Sequence, residues 1–152
     1  MFASLTGCNA ITSEKTEVVA AKKGIEKYLS DPLAVQYRNI VAAKSLDGLV
    51  YHEDTNKLYE QVQVIQNVTD PNLLIENVKK AVAEENAKIK NGAWKNSTGV
   101  CLEFNAKNKS GGYSGFEKAL CIYQPGKEES ECLFASHPKN NLIQPDLTVV
   151  CK

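Results

Sequence analysis

CLEFNAKNKSGGYSGFEKALC, residues Cys101 to Cys121, is the stretch whose reading decides the fold. From Thr98 the apolar pattern has a period of two: Val100, Leu102, Phe104 and Ala106 alternate with Cys101, Glu103, Asn105 and Lys107. Lys109-Ser110-Gly111-Gly112 is a reversal signal. Beyond it Phe116, Lys118, Leu120 and Ile122 alternate with Glu117, Ala119, Cys121 and Tyr123. The spacing predicts an antiparallel hairpin with a glycine-rich turn, whose Val100/Leu102/Phe104 side faces the helices.

Downstream, Gln124-Pro125-Gly126-Lys127 reads as a second turn and Glu131 to Ala135 as a short third strand. His137 to Pro145 reads as loop, and Leu147 to Cys151 as the last strand. Upstream the period changes. Asp70-Pro71 supplies a cap and a first-position proline, and Ile75, Val78, Val82 and Ile89 form one helical stripe. Asn91-Gly92 gives a left-handed stop, so a helix is expected over 71–90. Residues 55–66 carry Leu58, Val62 and Ile65 at helical spacing against a short alternating Val62-Gln63-Val64, and helix is favoured. Leu49-Val50-Tyr51 fits either a short strand or loop, and Tyr37 to about Lys44 fits a strand. Asp31-Pro32 repeats the cap-and-proline device in a short turn. Val18, Ala21, Ile25 and Tyr28 or Leu29 predict a helix over 13–29, with Gly24 costing ~1 kcal/mol against alanine. Helices followed by an antiparallel meander define an α+β fold: one domain, residues 13–152, with N-terminal helices packed on one face of a C-terminal antiparallel sheet.

The 152 residues can bury a real core, and the 18 basic and 18 acidic side chains cancel, which argues against a nucleic-acid partner. No apolar run approaches the ~20 residues of a membrane-spanning helix. Of five cysteines, Cys8 stands alone and Cys101, Cys121, Cys132 and Cys151 cluster in the last third. Their spacings match no zinc-finger pattern, and two disulfides in an oxidising compartment are expected. One pairing joins Cys121 to Cys132 across the second turn and Cys101 to Cys151, tying the last strand to the first. It is favoured over its rival, Cys101–Cys121 with Cys132–Cys151, although Cys101 lies almost opposite residue 120 or 121 in the hairpin. In the chain-entropy picture the favoured bonds contribute about 3 and about 4 kcal/mol.

Little in the sequence points to catalysis. GGxxG at 111–115 lacks the following helix that would hold a phosphate, and reads as a turn. A cysteine–histidine pair would need His52 or His137, each in a polar loop, while every cysteine has a better structural role. Glu128, Glu129 and Glu131 cluster in a solvated turn, and two scattered histidines do not suggest a metal site. No catalytic residue, metal or cofactor is expected.

Two resemblances add to this reading. Leu5-Thr6-Gly7-Cys8 resembles the lipobox of bacterial lipoproteins, in which the cysteine is acylated and becomes the first mature residue. Only Met1-Phe2-Ala3-Ser4 precede it, so residues 1–12 are expected to be a truncated signal with lipobox and tether. The resemblance implies a lipid anchor on Cys8 as the membrane contact, and Asn9 after it implies the outer membrane. Asn105-Ala106-Lys107-Asn108, then Gly111-Gly112-Tyr113-Ser114-Gly115-Phe116, resembles a motif of small proteins of Gram-negative bacteria and their prophages. Its upstream companion is Asp31-Pro32-Leu33-Ala34-Val35-Gln36-Tyr37-Arg38-Asn39, while Leu102 and Phe104 depart from the usual glycine and valine. That resemblance implies an envelope-associated protein without a transferable activity, and supports pairing Cys101 with Cys151. Arg38, Asn39, Glu103, Asn105, Lys107 and Tyr113 are the candidate binding patch, with Asn105 and Arg38 alternatively serving buried backbone groups. The expected function is a non-enzymatic envelope lipoprotein on the periplasmic face, binding an envelope protein as an inhibitory or exclusion module. A periplasmic hydrolase, or a cytosolic structural protein with reduced cysteines, is the alternative.

Overall fold

The computed structural model describes residues 14–65, 70–135 and 142–152; Cys8, its tether and His137 lie outside these described residues. Helix α1 spans Thr16–Glu26, strand β1 Gln36–Ala42, β2 Tyr51–Glu53, α2 Thr55–Ile65 and α3 Pro71–Lys90. Strands β3 Thr98–Asn105, β4 Glu117–Tyr123, β5 Glu131–Phe134 and β6 Ile143–Pro145 follow. The fold is α+β, with a four-stranded antiparallel sheet in the order β1-β3-β4-β5 and a separate β2-β6 ribbon.

Local chemistry sets the helix ends. The Asp70 carboxylate accepts a hydrogen bond from the Asn72 amide at 2.9 Å, Pro71 opens α3, and Gly92 at φ 83° closes it. In α1 the buried residues Ala20, Ala21, Gly24 and Ile25 recur one turn apart and define its inward stripe. Complete burial of Ile25 is worth roughly 1.5–3 kcal/mol.

Register settles the cysteines. Cys101 pairs with Leu120, and Val100 with Cys121. Successive side chains alternate between faces, so Cys101 and Cys121 sit on opposite sides of the sheet. The rival pairing therefore fails. Cys121 and Cys132 are direct cross-strand partners and are bonded, with Cα atoms 4.0 Å apart. Cys101 is bonded to Cys151, with Cα atoms 5.6 Å apart. Two such bonds belong to a non-reducing compartment rather than to a cytosol that keeps thiols reduced.

Both sheet faces are covered, by different parts of the chain. Val100, Leu102, Phe104, Ala119 and Cys121 pack under Ala21 and Ile25 of α1. The opposite face, from Cys101, Leu120 and Ile122, packs under Leu46, Leu49, Ile89, Leu147 and Val150. The expectation that the helices share one face thus holds for α1 alone; α3 contributes Ile89 to the other side.

The C-terminal expectation also needs correction. Ile143–Pro145, read as loop, is strand β6, and it pairs with Tyr51–Glu53. Leu147–Val150, read as a strand, is a turn: the Val150 and Cys151 amides both donate to the Leu147 carbonyl. Asp146 opens that turn by accepting from the Thr148 amide at 3.0 Å. It buries Leu147 and Val150 together, three residues apart, which an extended strand would point to opposite sides.

Candidate functional site

The surface that draws the motif residues together starts at an irregularity in β1. Arg38 pairs with Glu103, and Val41 with Cys101, so Asn39 and Ile40 face the single residue Leu102. This is a β-bulge, which adds a residue and re-aims side chains. Asn39 absorbs it at φ 51°, a left-handed conformation that asparagine tolerates better than other non-glycine residues.

The bulge lets two consecutive residues reach one carboxylate. Arg38 Nε donates to Glu103 Oε2 at 2.7 Å, and Asn39 Nδ2 donates to the same oxygen at 2.6 Å. Across the other edge of β3, Glu103 pairs with Lys118 of β4. Three neighbouring strands thus carry a row of charges, positive, negative, positive. The Arg38 hydrogen bond, then that of Asn39, and the nearby charges of Arg38 and Lys118 hold the Glu103 carboxyl below the ordinary carboxylate range. The guanidinium lies over the Phe116 ring, 3.7 Å from its centroid. Arg38 is therefore clamped at its edge by a carboxylate and on its flat side by an aromatic ring, while its side chain stays 52% exposed.

Asn105 has a different task. It is buried; its Oδ1 accepts from the Gly115 amide at 3.0 Å, and its Nδ2 donates to Gln36 Oε1 at 3.2 Å. It binds the glycine loop to the sheet and positions Phe116 next along the chain. Asn105 thus holds a backbone amide of the exposed glycine loop, whereas the hydrogen bond of Arg38 goes to the Glu103 carboxylate.

Lys107 and Tyr113 pair across the base of the loop, and the lysine ammonium sits 5.7 Å from the tyrosine ring centroid. Tyr113 Oη donates to the Ala34 carbonyl at 2.9 Å, which fastens the loop to the short turn Pro32–Ala34. Inside the loop, Asn108 Oδ1 accepts from the amides of Ser110 and Gly112. Leu33, on the fastened turn, is 98% exposed.

The two sequence blocks that carry the resemblance, 31–39 and 105–116, are thus in contact at several points: Tyr113 with Ala34, Asn105 with Gln36, and Phe116 with Arg38. The site residues missing from the expected patch are Phe116 and Lys118. Their signal was present, because both share the alternation of Leu120, which the register puts on the Glu103 side.

Among the described residues, no cluster of three or more His, Cys, Asp or Glu side chains has the arrangement of a metal site. His52 Nε2 lies 3.1 Å from Gln144 Nε2 in the β2-β6 ribbon, and Cys101, Cys121, Cys132 and Cys151 are all in disulfides. No helix among the described residues is long and apolar enough to cross a membrane. Comparison with protein-family models, curated proteins and solved structures finds no match to this chain.

Proposed function

We propose that this chain is a non-enzymatic binding module of the bacterial cell envelope, held to the membrane through acylated Cys8 and recognising an envelope protein with the surface around Arg38. The observation that carries the reading is the clamped arginine. Arginine and aromatic residues dominate interface energetics. A side chain already fixed on Glu103 and Phe116 loses little freedom when a partner docks. Asn39, Lys107 and Tyr113 border the same pair of segments, with Asn105 and Glu103 as the supports that hold them. The disulfides support a compartment outside the reducing cytosol, and the lipobox resemblance supports the anchor.

The role of Glu103 also favours binding over acid–base chemistry. A general acid at neutral pH needs a raised carboxyl pKa, whereas Glu103 is shifted the other way by its two donors. An inhibitory or exclusion role is the specific form of this proposal.

Two experiments test it. The gene, expressed with the sequence upstream of Met1, is labelled with radioactive palmitate; label that disappears in Cys8→Ser supports the anchor, and an unlabelled wild type removes it. Cross-linking in intact envelopes then compares wild type with Arg38→Glu. An adduct specific to the wild type supports the Arg38 surface, and adducts identical in both overturn it.

A further inference from the structure

We infer that the groove beside Glu103 is an anchor pocket for one large apolar side chain flanked by an acidic residue on the partner protein. The inference rests on the binding-module reading above and names the chemistry of the partner. The groove has a volume of about 240 Å³. Its apolar side chains are Val41, Leu147 and the Cys101–Cys151 disulfide; Leu102 and Ala119, whose side chains pack under α1, line it with their backbone, and Asn39, Glu103, Lys118 and Lys152 stand at its lip.

Its origin is legible in the packing. The face carrying Cys101, Leu120 and Ile122 is sealed by Leu46, Leu49, Ile89, Leu147 and Val150. That cover ends with Cys151. Toward Glu103 and Lys118 the same face continues, while the bulge at Asn39 and Ile40 bends the neighbouring strand. An apolar hollow is left between the C-terminal turn and the charge row.

Size and charge select the occupant. Small-molecule and cofactor sites usually enclose ~300–1,000 Å³, so this groove is on the scale of a single side chain. Glu103 is already engaged by Arg38 and Asn39, and the row Arg38–Glu103–Lys118 carries one net positive charge. An apolar side chain next to a carboxylate complements an apolar floor with a cationic lip. The groove is continuous with the Arg38 surface, because Asn39 and Glu103 belong to both.

The oxidised full chain, labelled with ¹⁵N, is titrated with acetyl-Asp-Phe-Asp-amide while its amide spectrum is recorded. The expected result is saturable shifts at Val41, Ala119 and Cys151, none with acetyl-Asp-Ala-Asp-amide, and weaker binding of acetyl-Lys-Phe-Lys-amide. Lys118→Gln is expected to weaken the acidic peptide by up to roughly fivefold, the ceiling for an exposed ion pair. Equal binding of the acidic and basic peptides, or shifts that bypass these amides, overturns the inference. An envelope adduct that needs Arg38, with no peptide effect at the groove, sinks the pocket and spares the binding module. Groove binding with adducts indifferent to Arg38→Glu does the reverse.

Discussion

Gly24 lies against Ser130: a β-carbon built on Gly24 would be 2.3 Å from the Ser130 carbonyl oxygen and 2.9 Å from Cys132 Sγ. The Ser130 amide in turn donates to the Ala20 carbonyl at 2.9 Å, so the segment entering β5 runs directly across α1. A glycine that weakens the helix as an isolated element is what permits α1 to seat on the sheet.

Gly24→Ala therefore has two opposed effects. Helix propensity favours alanine by ~1 kcal/mol, whereas overpacking against a backbone carbonyl costs about 1–3 kcal/mol. The carbonyl belongs to a strand entry fixed by a disulfide and has little room to yield. Net destabilisation of about 1 kcal/mol or more is expected in urea denaturation, and a stabilised variant would show that the contact relaxes freely.

Which parts of the fold were legible follows the range of the interactions involved. Helix α3 was readable because Asp70, Pro71, the apolar stripe and Gly92 all act within one segment. The β3-β4 hairpin was readable because alternation and a glycine turn are local too. The β2-β6 ribbon was not, since Tyr51 meets Pro145 from the far end of the chain and neither short strand has a pattern of its own. Leu147–Val150 was misread because Leu-Thr-Val-Val has strand-like composition. Its turn is imposed by Asp146, by the tether to Cys101 and by the Val150 carbonyl accepting from the Lys44 amide at 2.9 Å. The candidate patch was legible as residues. The bulge that makes Arg38 and Asn39 neighbours of Glu103 had no sequence signal beyond an asparagine.

Removing the disulfides one at a time separates their contributions. Cys101→Ala with Cys151→Ala opens a loop of 50 residues, and Cys121→Ala with Cys132→Ala one of 11. Losses of about 4 and about 3 kcal/mol are expected from chain entropy, read as shifts in the denaturation midpoint. Because Cys121 is fully buried and Cys151 only partly so, mild native-state reduction should open Cys101–Cys151 first, as peptide mapping would reveal. Simultaneous loss of both bonds would contradict the difference in burial.

The Glu103 cluster has a predicted acid limit. Its carboxyl is held below the ordinary 4.5, chiefly by the hydrogen bond from Arg38 and then by that from Asn39. A depressed folded-state value means its stabilising contribution is present above the unfolded value and is lost as pH falls through the folded one. The Arg38 Nε–H resonance should therefore titrate with a midpoint below the ordinary carboxylate value, and Glu103→Gln should abolish that movement. A transition above the ordinary carboxylate value would mean that the clamp does not form in solution.

The claim that a clamped Arg38 forms the binding surface is tested most directly by the affinity of the cross-linked envelope partner for wild type, Arg38→Lys and Arg38→Ala. Lysine keeps the charge but neither stacks flat on Phe116 nor offers the planar guanidinium fork. The account predicts that both variants lose affinity by a similar factor, roughly thirtyfold for a residue worth about 2 kcal/mol at an interface. Wild-type affinity in Arg38→Lys would show that charge alone matters, and wild-type affinity in Arg38→Ala would contradict the account outright.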